Sequence, residues 1–302
     1  MRKTDCVVIG AGIAGMTAAI YLKRSNVDCV IVEKSAPGGV MNRTSQIDNY
    51  PGYTESDGVN LAMNVYKQIT DLEVPYVFGA VSKIELVGNK KIVKTDSEDI
   101  ETKTIIIASG RVPRELGLEH EKALSGRGIS WCAICDGAFY KDKEVAIVGG
   151  GNGAFEEAVY LASIASKVYM IYDSKRVRAD KILQDKVESL KNVEAVRDNP
   201  IKELINENNK LGGLILEDGR KLDVEGLFIF IGYDPLLVCV KELDIERDSN
   251  YLVVDKQMRT SVKGIYACGD VIKKDVYQLT TAVGEASIAA TFVKKELDME
   301  KV

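Results

Sequence analysis

The chain has 302 residues, a net charge of −5, one histidine and six cysteines. That length suggests two domains, each able to build its own core, and the acidic balance argues against a nucleic-acid partner. One histidine excludes any two-histidine metal centre, and six cysteines are too dilute for a disulfide-stapled secreted scaffold. No uninterrupted apolar run reaches the ~18 residues of a membrane span. Cys6, Cys29, Cys239 and Cys268 are isolated, whereas Cys132 and Cys135 form a CxxC pair. The pattern fits a reduced cytoplasmic protein with one redox-active or metal-binding pair.

The N-terminus imitates a secretory leader, with Met1-Arg2-Lys3 ahead of an apolar stretch over 6–22. Asp5 and the glycines Gly10, Gly12 and Gly15 point instead to a phosphate-binding turn.

In chain order, β-branched residues predict a strand over 4–9. A glycine-rich turn over 10–15 and an amphipathic helix to about 24 follow. A second strand over 27–32 ends at Glu33. Gly88-Asn89 marks a hairpin turn between 84–87 and 91–93, and an apolar run over 104–107 leads into Ala108-Ser109-Gly110. The plan then repeats. A strand over 144–148 leads into Gly149-Gly150-Gly151-Asn152-Gly153-Ala154 and a helix to about 164. A strand over 167–171, a hairpin with Asp218-Gly219 as its turn and an apolar run over 227–231 complete the copy. Beyond about 240 lie a short strand over 251–254, the run 264–270 and a helix over 279–297. This remainder is too short to fold alone, so it is expected to return to the first unit. The expected class is α/β, with two Rossmann-like three-layer nucleotide-binding domains, the second inserted into a discontinuous first. The boundaries expected are 1–112, 113–240 and 241–302.

Gly10, Gly12 and Gly15 form a GxGxxG fingerprint between a strand and a helix. The first glycine permits the tight turn, the second admits a pyrophosphate and the third lets the helix pack closely. Glu33, 21 residues after Gly12, stands where a carboxylate accepts ribose hydroxyls. Gly149, Gly151 and Ala154 repeat the fingerprint in its GxGxxA form. After the next strand come Tyr172-Asp173-Ser174-Lys175-Arg176-Val177-Arg178. Asp173 would repel a 2′-phosphate, whereas Lys175, Arg176 and Arg178 would pair with one; a solvated strand end is the plain alternative.

Cys132-Ala133-Ile134-Cys135 is the expected reactive centre, because this spacing closes a small disulfide ring and lowers one thiol pKa. Zinc would need two further ligands, which scattered cysteines and His120 do not supply, so no metal is expected. Asp136 is placed to exchange a proton with a thiol, or simply to turn the chain before Gly137. Trp131 either covers the disulfide or packs in a core. The four isolated cysteines read as buried and inert, and His120 as a surface residue.

Taken together, these motifs resemble the low-molecular-weight thioredoxin reductases over nearly the whole chain. The resemblance rests on Gly10 to Gly15, on 48–52 (Asp-Asn-Tyr-Pro-Gly), on the redox segment from Ser130 to Gly137, and on Gly149 to Ala154. Cys268-Gly269-Asp270-Val271 and Gln278-Leu279-Thr280-Thr281-Ala282 complete it. It implies FAD held by Gly10, Gly12, Ala14, Gly15, Glu33, Gly39, Asn49, Ala108, Gly110, Gly269, Asp270, Gln278 and Leu279. Asp270 would meet the ribityl chain, with Asn49 and Gln278 near the flavin. It also implies a homodimer, Cys135 facing the flavin, Cys132 attacking a thioredoxin disulfide, Asp136 as acid–base group and an inserted domain that rotates. Larger disulfide reductases use a histidine near the C-terminus, and this chain has none after His120.

Three positions depart from the family pattern. Where it carries His-Arg-Arg for the 2′-phosphate of NADPH, this chain has Tyr172, Asp173 and Ser174, and Arg178 alone remains. A glutamine common after the Gly-Gly near the flavin is Val40, and the arginine usual before Gln278 is Tyr277. The losses are similar to those of the ferredoxin-linked flavin thioredoxin reductases. Expected, therefore, is a cytoplasmic FAD-dependent thioredoxin-disulfide reductase fed by ferredoxin or NADH. NAD(P)H at Gly149, Gly151, Ala154 and Arg178 is left open. The alternatives are a conventional NADPH-dependent thioredoxin reductase, a flavin dithiol oxidase and a redox sensor without turnover. A flavin NADP–ferredoxin oxidoreductase needs no CxxC.

Overall fold

Strands of β-branched residues alternate with helices along most of the chain, and glycines stand at the sharp turns between them. The computed structural model describes residues 1–43, 47, 49–54 and 57–300. The first stretch carries β1 (Arg2–Ile9), α1 (Ile13–Arg24), β2 (Cys29–Glu33), α2 (Gly58–Asp71), β3 (Tyr76–Phe78), β4 (Val81–Val87), β5 (Lys90–Thr95), β6 (Asp99–Ile107) and β7 (Arg111–Pro113). The middle carries β8 (Ile129–Ser130), α3 (Ala133–Asp136), β9 (Glu144–Val148), α4 (Asn152–Ala162), β10 (Lys167–Tyr172), α5 (Lys181–Ser189) and β11 (Val193–Arg197). Next come β12 (Ile201–Glu207), β13 (Lys210–Leu216), β14 (Lys221–Leu222), β15 (Gly226–Ile229) and β16 (Tyr233–Pro235). The last stretch holds β17 (Arg247–Asp248), β18 (Tyr251–Leu252), β19 (Ile265–Ala267) and α6 (Leu279–Met299).

The chain divides into two units. One comprises Met1–Thr44, Tyr50–Val112 and Asp234–Val302, and the other Ser45–Asn49 and Pro113–Tyr233. The return to the first unit therefore begins at 234, earlier than the expected 241. The reason is burial: Cys239, Val240 and Ile245 lie in the first unit's core with Val7, Val30 and Ile105.

In the first unit β3, β2, β1, β6 and β19 pair in parallel. β6 serves two neighbours on one edge. Its first half pairs antiparallel with β5, and its last residues, Ile105 to Ile107, pair with the returning β19. Alternation sends Val7, Ile9, Val30, Val32, Ile105 and Ile107 to one core. Tyr266 points the other way, fully buried, and its hydroxyl donates to Glu296 of α6. The hairpin β4–β5 turns at Gly88 and Asn89, as expected.

In the second unit β11, β10, β9, β15 and β8 form an all-parallel sheet. Val145, Ile147, Val168, Met170 and Phe228 face α4 and α5. Ala146, Tyr169, Ile171, Leu227 and Ile229 face the antiparallel β12–β13–β14 layer through Leu204, Leu214 and Leu216. Both faces are covered, which is why these strands read as continuous apolar runs.

Three helices were not expected from sequence, among them the single turn α3. α2 buries Leu61, Ala62, Val65 and Ile69 on one face, and Asp57 caps it by accepting from the Asn60 N–H. α5 buries only Val187, so its apolar signal is weak.

On α4, Glu157 Oε2 is buried and has no hydrogen-bond partner among the described residues. Burial, with the Glu156 charge second, pushes this carboxyl up to about 7. A raised carboxyl stabilises the fold while protonated, and that contribution is lost as pH climbs from the unfolded value towards 7. Glu157→Gln should therefore raise Tm by roughly 2–4 °C near pH 8, with a much smaller gain near pH 5. Thermal unfolding at the two pH values checks this, and an equal shift at both would contradict it.

Candidate active site

The turn between β1 and α1 is built from backbone. Gly10 has φ +104°, and a Cβ there would lie 2.4 Å from the Ala108 carbonyl oxygen at the end of β6. A Cβ at Gly15 would lie 1.8 Å from the Gly10 carbonyl oxygen, so only glycine lets α1 come this close. A Cβ at Gly12 would meet no atom within 4 Å. Gly12 also caps α1 with no side-chain bond, leaving its first N–H groups directed at open space. Gly38 donates its N–H to the Ala11 carbonyl at 2.8 Å, and Gly39 comes within 3.4 Å of Gly12 when given a Cβ. Glu33, at the end of β2, accepts from the Ala11 N–H at 2.8 Å and from Ser35 N–H and Oγ at 2.9 Å. A groove of N–H groups with an acid at its side fits a dinucleotide such as FAD.

The returning segment closes the same region. A Cβ at Gly269 would lie 2.9 Å from the Ala14 side chain. The Gly269 N–H donates to Glu285 at 2.9 Å. Asp270 lies between two cations, with Arg111 Nε 3.5 Å from Oδ2 and Lys274 Nζ 3.4 Å from Oδ1. Lys274 also pairs with Glu285 at 3.0 Å. Gln278 caps α6 in a capping box with Thr281, and Leu279 is its first helical residue. Gly110, with φ +72°, accepts from the Leu236 N–H at 2.9 Å.

The redox pair belongs to the second unit. Cys132 and Cys135 are disulfide-bonded, and α3 starts immediately after Cys132. The Cys135 N–H donates to Cys132 Sγ at 3.2 Å, a bond that favours a thiolate at Cys132. Asp136 Oδ2 accepts from the Ser130 hydroxyl at 2.6 Å. Its Oδ1 is buried with no hydrogen-bond partner among the described residues. Burial raises the Asp136 carboxyl above its ordinary value, and the Ser130 bond works in the opposite direction. This raised carboxyl directly follows Cys135 in the chain. A Cβ at Gly137 would lie 2.9 Å from the Tyr160 ring, so the chain after the pair lies close on α4. Ile134 and Phe139 leave exposed apolar surface near the sulfurs in sequence.

The second glycine-rich turn repeats the first at its start. A Cβ at Gly149 would lie 2.4 Å from the Phe230 carbonyl oxygen, and Gly151 and Gly153 border open space. What surrounds it differs. Gly150 O accepts from the N–H groups of Arg178 and Ala179 at 2.7 and 3.2 Å. Asn152, first in α4, holds the Asp180 carboxylate at 3.0 Å, which sets an anion beside the helix start. Asp173 is occupied with Lys175 N–H at 2.9 Å and Arg176 at 3.2 Å. Asp198 accepts from both Ser174 N–H and Oγ.

The first unit thus gathers Gly10, Gly12, Ala14, Gly15, Glu33, Gly39, Ala108, Gly110, Gly269, Asp270, Gln278 and Leu279. Asn49, expected near the flavin, groups with the second unit. Asp48 lies outside the described residues. The second unit gathers Cys132, Cys135 and Asp136, and separately Gly149, Gly151, Ala154 and Arg178. Trp131 packs beside the core of Leu204, Leu214 and Leu227, and its carbonyl accepts from Tyr233. Cys6, Cys29, Cys239 and Cys268 are buried free thiols, and burial pushes Cys239 up to about 11 and Cys29 up to about 12. The sequence reading missed Arg111, Lys274, Glu285 and Asp180. Arg111 and Asp180 carry no local signal, since the fold brings their partners to them, whereas the i,i+4 spacing of Lys274 from Asp270 could have pointed to that pair.

Comparison with known proteins follows the same lines. The pyridine nucleotide-disulphide oxidoreductase family matches residues 4–286. A thioredoxin reductase of Bacillus subtilis (strain 168) is 37% identical over 295 residues, covering 96% of this chain and 93% of that protein. The crystal structure of thioredoxin reductase from Streptococcus pyogenes is 41% identical with a TM-score of 0.92, covering 98% of this chain and 99% of the other. At greater distance, a ferredoxin-flavin thioredoxin reductase from Clostridium acetobutylicum is 28% identical with a TM-score of 0.55, covering 99% of each chain.

The two outer glycines of the first turn are packed against backbone and the middle one is not, so their substitutions should separate folding from binding. Gly12→Ala should leave Tm nearly unchanged but weaken FAD binding by about tenfold or more. Gly10→Ala should cost about 3 kcal/mol of stability, from left-handed strain and the clash with Ala108. Thermal unfolding of apoprotein and FAD titration report the two effects.

Proposed function

The chain belongs to the pyridine nucleotide-disulphide oxidoreductase family, and from that premise we propose that it reduces the disulfide of a thioredoxin. It is a flavin disulfide oxidoreductase, and FAD is its cofactor. The observation that carries the proposal is the half-exposed Cys132–Cys135 disulfide beside the raised carboxyl of Asp136.

FAD, when bound, supplies the electron pair that opens the Cys132–Cys135 disulfide, and two protons complete the two thiols. Cys132, its thiolate favoured by the Cys135 N–H, then attacks the partner disulfide. One partner sulfur leaves, and a mixed disulfide joins Cys132 to the other. Cys135 attacks the Cys132 sulfur, which re-forms the internal disulfide and releases the second partner sulfur. The two protons end on the two partner thiols. Asp136, kept protonatable by burial, hands a proton to a departing sulfur and recovers it from the Cys135 thiol. Ile134 and Phe139 offer apolar surface for the partner.

For the electron source we infer ferredoxin or NADH in preference to NADPH. The support is electrostatic: Asp173 and Asp198 border the place where a 2′-phosphate would need cations, and Asp180 stands beside the start of α4. The intact turn at Gly149 to Ala154, open at Gly151, favours NADH as the nucleotide if one is used. The proposal includes a homodimer in a reducing, cytoplasmic setting. The four free thiols fit that compartment, and among the described residues no helix is long and apolar enough to cross a membrane.

Cys135→Ser should keep its bound flavin, accumulate a mixed disulfide on Cys132 and retain less than about 1% of thioredoxin turnover. Full turnover by this variant would refute the thiol sequence. Anaerobic titration with NADPH, NADH and reduced ferredoxin, each alone, tests the donor. Flavin absorbance should bleach with ferredoxin or NADH; stoichiometric bleaching by micromolar NADPH would reverse the donor assignment.

A further inference from the structure

Arg111 is a cation that the thiol chemistry does not use, yet its side chain is only 15% exposed. Its guanidinium carbon lies 3.7 Å from the centre of the Tyr277 ring. Its Nε lies 3.5 Å from Asp270 Oδ2. Tyr277 is itself fixed, with its hydroxyl donating to the Ile272 carbonyl at 3.4 Å and its ring 5.7 Å from that of Tyr251. Tyr277 stands where the family resemblance puts an arginine, and its ring carries Arg111 close on its face and Lys274 Nζ farther off at 5.3 Å.

We propose that Arg111 and Tyr277 together position the Asp270 carboxylate for FAD, the guanidinium reaching that place from β7 in place of an arginine at 277. The proposal rests on the reading that Asp270 contacts FAD. A guanidinium stacked on an aromatic face has its plane fixed while its N–H edge stays available to a carboxylate. An ammonium, such as that of Lys274 at 5.3 Å from the same ring, has no plane to fix and so does not orient a carboxylate in this way. The second cation, Lys274, divides its charge between Asp270 and Glu285, at 3.4 and 3.0 Å. Glu285 in turn holds the Gly269 N–H. Lys274 is therefore tied to the backbone beside Asp270, whereas the Arg111 stack determines how the carboxylate is turned.

The test is FAD titration of apoprotein, followed by flavin fluorescence, with thermal unfolding of each apoprotein measured alongside. Arg111→Met should raise the Kd for FAD about tenfold, the effect of losing one charge-assisted contact. Arg111→Lys keeps the charge and most of the volume, and should still raise Kd several-fold. In the double variant Arg111→Met with Tyr277→Arg, the cation returns at 277 and most of the affinity should return with it. Wild-type Kd in Arg111→Lys, or a double variant no tighter than Arg111→Met, would overturn the proposal. Asp270→Ala separates the underlying reading: if its Kd matches wild type, Asp270 does not contact FAD and that reading falls on its own.

Discussion

The first unit depends on the ends of β1, β6 and β19 being brought together at backbone distance. A Cβ at Gly10 would be 2.4 Å from the Ala108 carbonyl oxygen, one at Gly15 would be 1.8 Å from the Gly10 carbonyl oxygen, and one at Gly269 would be 2.9 Å from Ala14. No side chain fits at these crossings. Their absence lets α1 start against the sheet with its N–H groups free for phosphate. The returning segment can reach this place because β6 gives only its last residues to β19 and its first residues to β5. A sheet that divides one strand in this way lets 234–300 complete a fold begun more than two hundred residues earlier.

The second unit obeys the same rule at Gly149, against the Phe230 carbonyl, and then diverges. In the first copy the acid at the end of the second strand, Glu33, holds the glycine turn itself through the Ala11 N–H. In the second copy that strand end is turned to its own neighbours, and the glycine turn is held by 178–180. The turn supplies a general affinity for diphosphate through N–H groups and the helix dipole. Beyond it, Asp173 is paired with Arg176, and Asp198 accepts from Ser174.

Burial sorts the six sulfurs. Cys6 and Cys268 are fully buried and their thiols are pushed far above neutral pH, so they do not ionise. The pair at 132 and 135 is half-exposed, with an N–H directed at one sulfur. The neighbouring acid shows the same physics in reverse. Asp136 is held between desolvation, which favours its proton, and the Ser130 hydroxyl, which favours its charge. The net effect is a carboxyl raised above its ordinary value.

Local patterns carried much of this protein into view from its sequence alone. The two glycine fingerprints, the strands that precede them, the CxxC segment and the hairpin at Gly88-Asn89 are all determined by neighbours in the chain, through φ preference, side-chain alternation and spacing. α5 escaped because it buries a single residue. The boundary at 233–234 escaped because it depends on where Cys239 and Val240 find a core, which no local signal states. The same holds for the groups around Asp270. Lys274, Tyr277 and Glu285 follow Asp270 within one stretch of chain, whereas Arg111 comes from β7 and meets that carboxylate only in the folded unit. Sequence determined the chemistry the chain can perform, because reactive residue types and phosphate-binding turns are local. Tertiary structure decided which carboxyl keeps a proton, which thiols are silent and which cation faces which anion, because burial and distance exist only in the folded chain.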